Sequence, residues 1–245
     1  MFPLVHYYVN KRIYGQVPPL MTLGGFFPDL ASGTGMERDA AHMMGDGFHG
    51  WCKRYRPQAL PLALGILSHG TEPHGVDYYA DEYWPDCEHG WCFKQGERYM
   101  DEVRDSTHLG EDYIWWKAHN FVEMSYELII KRDQPQTNQE LIAALTDYRS
   151  KSIAAEALSA YSGRNAESII GVYNRALQIF AIREVTALAL AQKQADSFIY
   201  RFNMHDAEPL KMAALLEKMS RELSDGFYPY IEQVIALTAE MLGAY

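Results

Sequence analysis

The sequence predicts an all-α, multi-helical bundle, and three observations predict it. Apolar residues recur three and four apart in segment after segment, from Leu4, Val5, Tyr8 and Val9 to the stretch 230–242. Proline, glycine and aspartate interrupt these segments at helix-length intervals. No stretch alternates apolar and polar residues as a half-buried strand would, and there is no internal repeat and no Ser- or Gly-rich linker. With 245 residues, 48% hydrophobic and 13% aromatic, the chain has material for a substantial core. Residues 1–245 are therefore expected to form one domain, with a ligand-bearing half (1–131) and packing helices (136–245).

Leu4 to Tyr14 follows helical spacing and is stopped by Gly15 and Pro18-Pro19, which places His6 in the first turns of a short helix. In Leu23-Gly24-Gly25-Phe26-Phe27-Pro28-Asp29, the glycines allow close helix approach and Pro28 sets a turn that presents Asp29. Residues 37–56 read as one helix carrying His42, Asp46 and His49 along a face. That stripe suits either metal coordination or an ordinary polar face. Ala59 to Ser68 has no polar side, which marks a helix buried all round and delivers His69 at its end.

His69-Gly70-Thr71-Glu72-Pro73-His74-Gly75-Val76-Asp77 then gathers four candidate ligands in nine residues. Imidazole and carboxylate donors suit zinc and other first-row divalent ions. Residues 78–95 are aromatic and rich in turns, and are expected to form an irregular surface loop or lid carrying Trp84 and Trp91. Cys87, His89 and Cys92 within it offer a second zinc site only if a fourth ligand is found.

The helical pattern resumes at Gly96 and continues to Asp133-Gln134-Pro135. Four residues separate His119 from Glu123, so both leave the same face and can grip one ion. Trp115 and Trp116 are expected to pack and fix that helix. Thr137-Asn138-Gln139-Glu140 reads as a capping box. Amphipathic segments follow over about 165–201, 208–223 and 230–242, with Asp206 as an N-cap.

A net charge of −10 argues against a broad surface for duplex nucleic acid. Three cysteines cannot all pair within the chain, and the first residues lack a secretory pattern, so a reducing, cytoplasmic setting is expected. No apolar run reaches the roughly 20 residues a transmembrane helix needs.

The order His6, Gly24-Gly25-Phe26-Phe27-Pro28-Asp29, His42, Leu67-Ser68-His69, Pro73-His74, then His119-Asn120-Phe121-Val122-Glu123 resembles the zinc-dependent phospholipase C family. Single-strand-specific nucleases share that general fold. The resemblance covers the first half of the chain by motif and the rest by helical character. It implies a helical bundle with a metal-lined cavity, in which up to three zinc ions hydrolyse a phosphodiester. It further implies that His6, Asp29, His42, His69, His119 and Glu123 are ligands. Two departures stand out. The chain begins Met-Phe where secreted members present a tryptophan amino group, and the segment after His69 is compressed, with Pro73 where an aspartate is expected. Glu72 and His74 are the replacements chosen here, and Asp77 is the reserve.

The expected activity is that of a metal-dependent phosphodiesterase or phospholipase C-like hydrolase acting on a small-molecule or lipid phosphoester. Its cofactor would be one to three divalent ions, zinc first, with manganese or iron as alternatives, and Asp29 would act as ligand or base toward water. The alternative is a non-catalytic helical module that binds metal or another ligand through a degenerate site. A di-iron carboxylate oxidase is a third option, although that bundle wants two Glu-x-x-His motifs and the chain contains none.

Overall fold

A computed structural model describes residues 2–245 of the chain. Among the described residues it holds fourteen α-helices, short 3-10 turns, one π-helical turn and no strand, so the all-α fold stands. No helix among them is long and apolar enough to cross a membrane. Helices α1 (Pro3–Tyr14), α2 (Pro19–Leu30) and α5 (Leu60–His69) pack on one another, the long helix α8 (Glu111–Asp133) packs on α1, and helices from the second half of the chain pack on both.

Helix α1 (Pro3–Tyr14) starts with proline in its first turn, where a missing N–H costs nothing, and ends at Gly15 with φ 74°. Its remaining N-terminal demand is met from far along the chain: Val5 N donates to Glu127 Oε1 at 3.0 Å. Helices α2 (Pro19–Leu30) and α5 (Leu60–His69) cross at very short range because glycines face each other. A Cβ on Gly24 would run into the carbonyl of Leu62, and one on Gly65 into the carbonyl of Met21. That crossing sets the register between Gly25 and His69. Gly65→Ala would separate both helices and the groups they carry.

The span 37–56 is two helices, not one. Helix α3 (Arg38–His42) ends and α4 (Gly45–Tyr55) begins on a new axis, so His42, Asp46 and His49 do not form a stripe. His49 instead packs edge-on against Tyr245, with ring centroids 5.1 Å apart. Gly70, just past α5, lies against the carbonyl of His42 where a side chain could not fit. Thr71 N also donates to that carbonyl at 3.0 Å, so the ends of α3 and α5 are held together.

Residues 78–95 are an irregular surface stretch only over 83–90, which hold turns and bends with Tyr83, Pro85, Asp86 and Glu88 exposed. On either side Tyr78–Glu82 is a π-helical turn and α6 (Trp91–Gly96) a helix, and Tyr79, Ala80, Asp81, Trp84, Cys92 and Phe93 are buried. Trp84 packs on Tyr230, and Trp91 stacks on the same ring while its Nε1 donates to Tyr126 Oη at 2.8 Å. Each large ring removed from water in this way contributes about 1.5–3 kcal/mol.

Helix α7 (Met100–Thr107) leads into α8 (Glu111–Asp133), which buries Ile114, Phe121, Val122, Ile129 and Ile130. The cap assigned to Thr137 is not used, because α9 (Pro135–Thr146) already begins at Pro135. Asp147 and Asn165 cap α10 (Tyr148–Ser162) and α11 (Ala166–Ile179). The expected segment 165–201 is broken after α11, with Ala181 at φ 52°, before α12 (Ala187–Phe202) resumes. Glu208, not Asp206, precedes α13 (Pro209–Glu222), and α14 (Ser224–Leu242) ends the fold. The two halves share one apolar core. Helix α11 sits on α2, where Tyr173 Oη donates to Leu23 O at 3.1 Å, and α12 and α13 pack along α8.

Candidate metal centre

Two groups of side chains of metal-ligand type lie at one cavity of about 790 Å³, which every member lines except the fully buried His69. The first contains Asp29 from the end of α2, His42 from α3, His69 from α5 and Asp77 just before the π turn. The second contains Asp81 from the π turn with His119 and Glu123 from α8. Within each group the ligand atoms lie within 4.8 Å of one another. The groups are joined by the short helical segment that carries both Asp77 and Asp81.

In the first group both imidazoles are oriented by backbone. His42 Nδ1 lies 2.8 Å from Arg38 O, and His69 Nδ1 lies 2.8 Å from Gly25 O. The second contact is the product of the glycine-mediated α2–α5 crossing. With each Nδ1–H donated to a carbonyl, the two Nε2 atoms face inward, 3.3 Å apart. This is the arrangement that a backbone carbonyl behind the ring imposes on metal-binding histidines. Asp77 Oδ2 lies 3.3 Å from His42 Nε2 and 3.1 Å from His69 Nε2, while Asp29 Oδ1 lies 3.7 and 3.9 Å away. His6 joins from α1: its Nε2 is 3.3 Å from Asp77 Oδ1, and its ring stacks on that of His69 at 3.9 Å.

Electrostatics follow from this crowding. Burial alone would lower the pKa of His42, but the adjacent carboxylates of Asp29 and Asp77 outweigh it and push it up to about 10. Burial, aided by the charge of His69, pulls His6 down to about 4. Desolvation works to raise Asp29 and Asp77, yet the neighbouring histidines hold both carboxylates below their ordinary value. The two differ in access: the side chain of Asp77 is 1% exposed and that of Asp29 is 25% exposed. Asp29 is thus the carboxylate of this group that a molecule in the cavity can touch.

The second group is a carboxylate pair with a neutral histidine. Desolvation and the adjacent Glu123 push Asp81 well above its ordinary pKa. Burial holds His119 down at about 4. Asn120 Nδ2 lies 2.9 Å from His119 Nε2 and 3.2 Å from Glu123 Oε2, so an amide donor stands where two ligand atoms converge. His119 Nδ1 and Asp81 Oδ1 are buried without a hydrogen-bond partner of normal geometry. Converging acceptors and an unsatisfied buried carboxylate oxygen are what a cation would complete. The histidine and carboxylate donors of both groups fit a divalent ion of the zinc, manganese or iron type, and the groups could hold metal.

Of the ligands expected from the sequence, the two groups bring together Asp29, His42, His69, His119 and Glu123, with His6 reaching the first of them through Asp77. Glu72 and His74 are not brought in. Both are exposed, and His74 lies flat on Tyr78 at 3.6 Å because the turn after His69 points outward. Asp77, the reserve, takes the place given to them. Asp81 escaped notice in an aromatic stretch read as a loop. Its four-residue spacing from Asp77, the same as that between His119 and Glu123, was the available signal. Cys92 is buried, and neither it nor Cys87 belongs to either group. Trp116 is 40% exposed and lines the cavity, so its role is not confined to packing.

The remaining walls are basic and aromatic. Arg38 at the rim lies 3.5 Å from Asp81 Oδ2, and Lys117 is buried beside His119. Helix α12 turns Lys193, Ser197 and Arg201 into the same space. No family model, no curated protein and no solved structure matches the chain.

Proposed function

We propose that the chain is a metal-dependent hydrolase of phosphate esters, related in design to the zinc-dependent phospholipases C. One observation carries this reading: two histidine-carboxylate groups share a cavity wall through Asp77 and Asp81, and cations line the cavity facing them. Zinc is the ion the donor set favours, with manganese and iron next, and no thiolate stands among the donors. His42, His69, Asp29 and Asp77 would hold one ion and Asp81, His119 and Glu123 another. When bound, such ions lower the pKa of a coordinated water and offset charge on phosphoryl oxygens.

The chain's own residues supply the rest. His42 and His69 are fixed by Arg38 O and Gly25 O, so their donor atoms need no rearrangement. Asp29, partly exposed and held ionised by its histidine neighbours, accepts a proton from the attacking water. The water oxygen bonds to phosphorus, the ester P–O bond breaks, and the alcohol leaves carrying the proton that Asp29 took up. Asn120 positions His119 and Glu123 in the absence of an ion. Trp116, Phe93 and Phe180 along the cavity exclude water from one side.

The compressed turn from His69 to His74 is the feature that argues for a non-catalytic module. Asp77 beside His42 and His69 removes the need for a ligand from that turn, which supports the catalytic reading. The three free cysteines, two of them buried, support the expected cytoplasmic setting. The test is hydrolysis of p-nitrophenyl phosphate and bis(p-nitrophenyl) phosphate by the purified chain supplied with zinc or manganese. Turnover of either that is abolished by chelation and by Asp29→Asn is expected. Absence of turnover of both, with metal bound, would contradict the hydrolase and leave a binding module.

A further inference from the structure

Helix α12 presents Leu190, Lys193, Ser197 and Arg201 to the cavity at successive helical intervals, and α8 adds Lys117 and Asn120. Two of the cations here have partners: Lys193 pairs with Asp196 at 3.3 Å, and Arg38 with Asp81. Lys117 and Arg201 make no ion pair among the described residues. Lys117 is 3% exposed. Its ammonium lies 3.7 Å from the ring centroid of Trp116 and 5.6 Å from that of Phe202, and its one hydrogen bond is to Asn120 Oδ1 at 3.4 Å. Arg201, at the mouth, is close enough for the two like charges to repel.

A buried ammonium without a counter-charge is costly, and a second cation beside it raises the cost. A chain of net charge −10 has carboxylates to spare, yet the one that acts on Lys117, Glu123, does so at a distance with the Asn120 amide between them, and neither cation of the pair is in an ion pair among the described residues. Two cations in a cavity wall without a contacting carboxylate are the arrangement that an anion from outside completes, and Arg adds a fork that matches two phosphoryl oxygens. The position is specific as well. A single amide, that of Asn120, separates the Lys117 ammonium from His119 Nε2 and Glu123 Oε2.

The geometry points to Lys117 and Arg201 as the subsite for the phosphoryl oxygens of a phosphomonoester, whose opposite face is turned to Asp81, His119 and Glu123. A monoester carries two negative charges near neutral pH and a diester one, so two cations beyond the metal groups favour the monoester. The assignment of a substrate rests on the hydrolase reading; the binding of the anion does not, since it needs no metal.

Inorganic phosphate titrated by calorimetry into the full chain, stripped of metal and dialysed, tests it. The wild-type chain binds phosphate, with an affinity that falls as salt rises. Lys117→Met and Arg201→Gln each weaken binding about tenfold or more, as loss of a charge-assisted hydrogen bond does. Lys117→Met does not lower the melting temperature, because it removes a charge without a contacting carboxylate and keeps the apolar stem, whereas a merely structural lysine would destabilise when replaced. Arg201 is exposed, so Arg201→Gln reads the subsite even if the other variant fails to fold. With zinc supplied, both variants raise KM for p-nitrophenyl phosphate more than for bis(p-nitrophenyl) phosphate. Phosphate binding that depends on both residues in a chain without hydrolytic activity would sink the hydrolase and keep the subsite. Wild-type phosphate affinity in Arg201→Gln, or no phosphate binding by the wild-type chain, overturns the subsite.

Discussion

Asp77 and Asp81 stand one turn apart at the π-helical segment, and each belongs to a different group of candidate ligands: Asp77 to that of His42 and His69, Asp81 to that of His119 and Glu123. Four residues in a slightly widened turn put both carboxylates on one side of the segment. The two halves of the centre are therefore mechanically one unit, although no other short stretch of chain contributes to both.

Asp77→Asn and Asp81→Asn should each lower the zinc content at saturation by about one equivalent, since each removes a charged ligand from a different group. Equilibrium dialysis followed by elemental analysis reads this. The Asp81 variant carries a sign reversal. Asp81 is buried beside Glu123 with one oxygen unsatisfied, so its neutralisation should raise the melting temperature of the metal-free chain by a few degrees and lower that of the zinc-supplied chain. A drop in both conditions would show that Asp81 is held by the protein and not by an ion.

His119→Ala and Glu123→Ala should lose metal and thermal stability together. A ligand at a hundredfold excess over its dissociation constant stabilises the native state by about 2.7 kcal/mol, and this difference from wild type should vanish after chelation. Metal retained in both variants would remove α8 from the centre.

Glu72→Ala and His74→Ala should leave metal content unchanged. Both side chains are exposed, and His74 is engaged with Tyr78, so the cost of its removal is that of one stacked pair, about 0.5–1.5 kcal/mol. Loss of metal in either variant would restore the turn after His69 to the centre.

Glu127 gives the fold a pH dependence. Desolvation outweighs the backbone N–H groups of Val5 and Leu4 and raises its pKa from 4.5 to about 8. Between these values the unfolded chain has released the proton and the folded chain keeps it, so stability falls as pH rises through this window. Glu127→Gln keeps an acceptor for Val5 and removes the titration. Its unfolding free energy should match wild type near pH 5 and exceed it near pH 8, by a margin on the order of a few kcal/mol. Parallel curves from pH 5 to pH 8 would show that Glu127 is ionised in the folded chain.

The fold was legible where local chemistry decides. Gly15 and Pro135 mark helix limits, the unbroken apolar run before His69 marks a buried helix, and the spacing of His119 and Glu123 puts both on one face. What escaped depends on contacts between distant residues. The bend at Met43 and Met44 carries no proline, and only Tyr245, at the other end of the chain, shows that His49 is occupied elsewhere. Asp81 sits in an aromatic stretch whose rings are core because Tyr126 and Tyr230 receive them, which no local pattern reveals. Lys117 looks like any helical lysine until Trp116, Phe202 and α12 enclose it.

The central claim is that the cavity is a metal centre, and the most direct measurement is the metal content of the chain purified without added metal, then after equilibration with zinc. About two tightly bound divalent ions per chain at saturation, falling when Asp77 or Asp81 is replaced, is the result the two-group geometry predicts. Less than one equivalent of any transition metal after equilibration would contradict it.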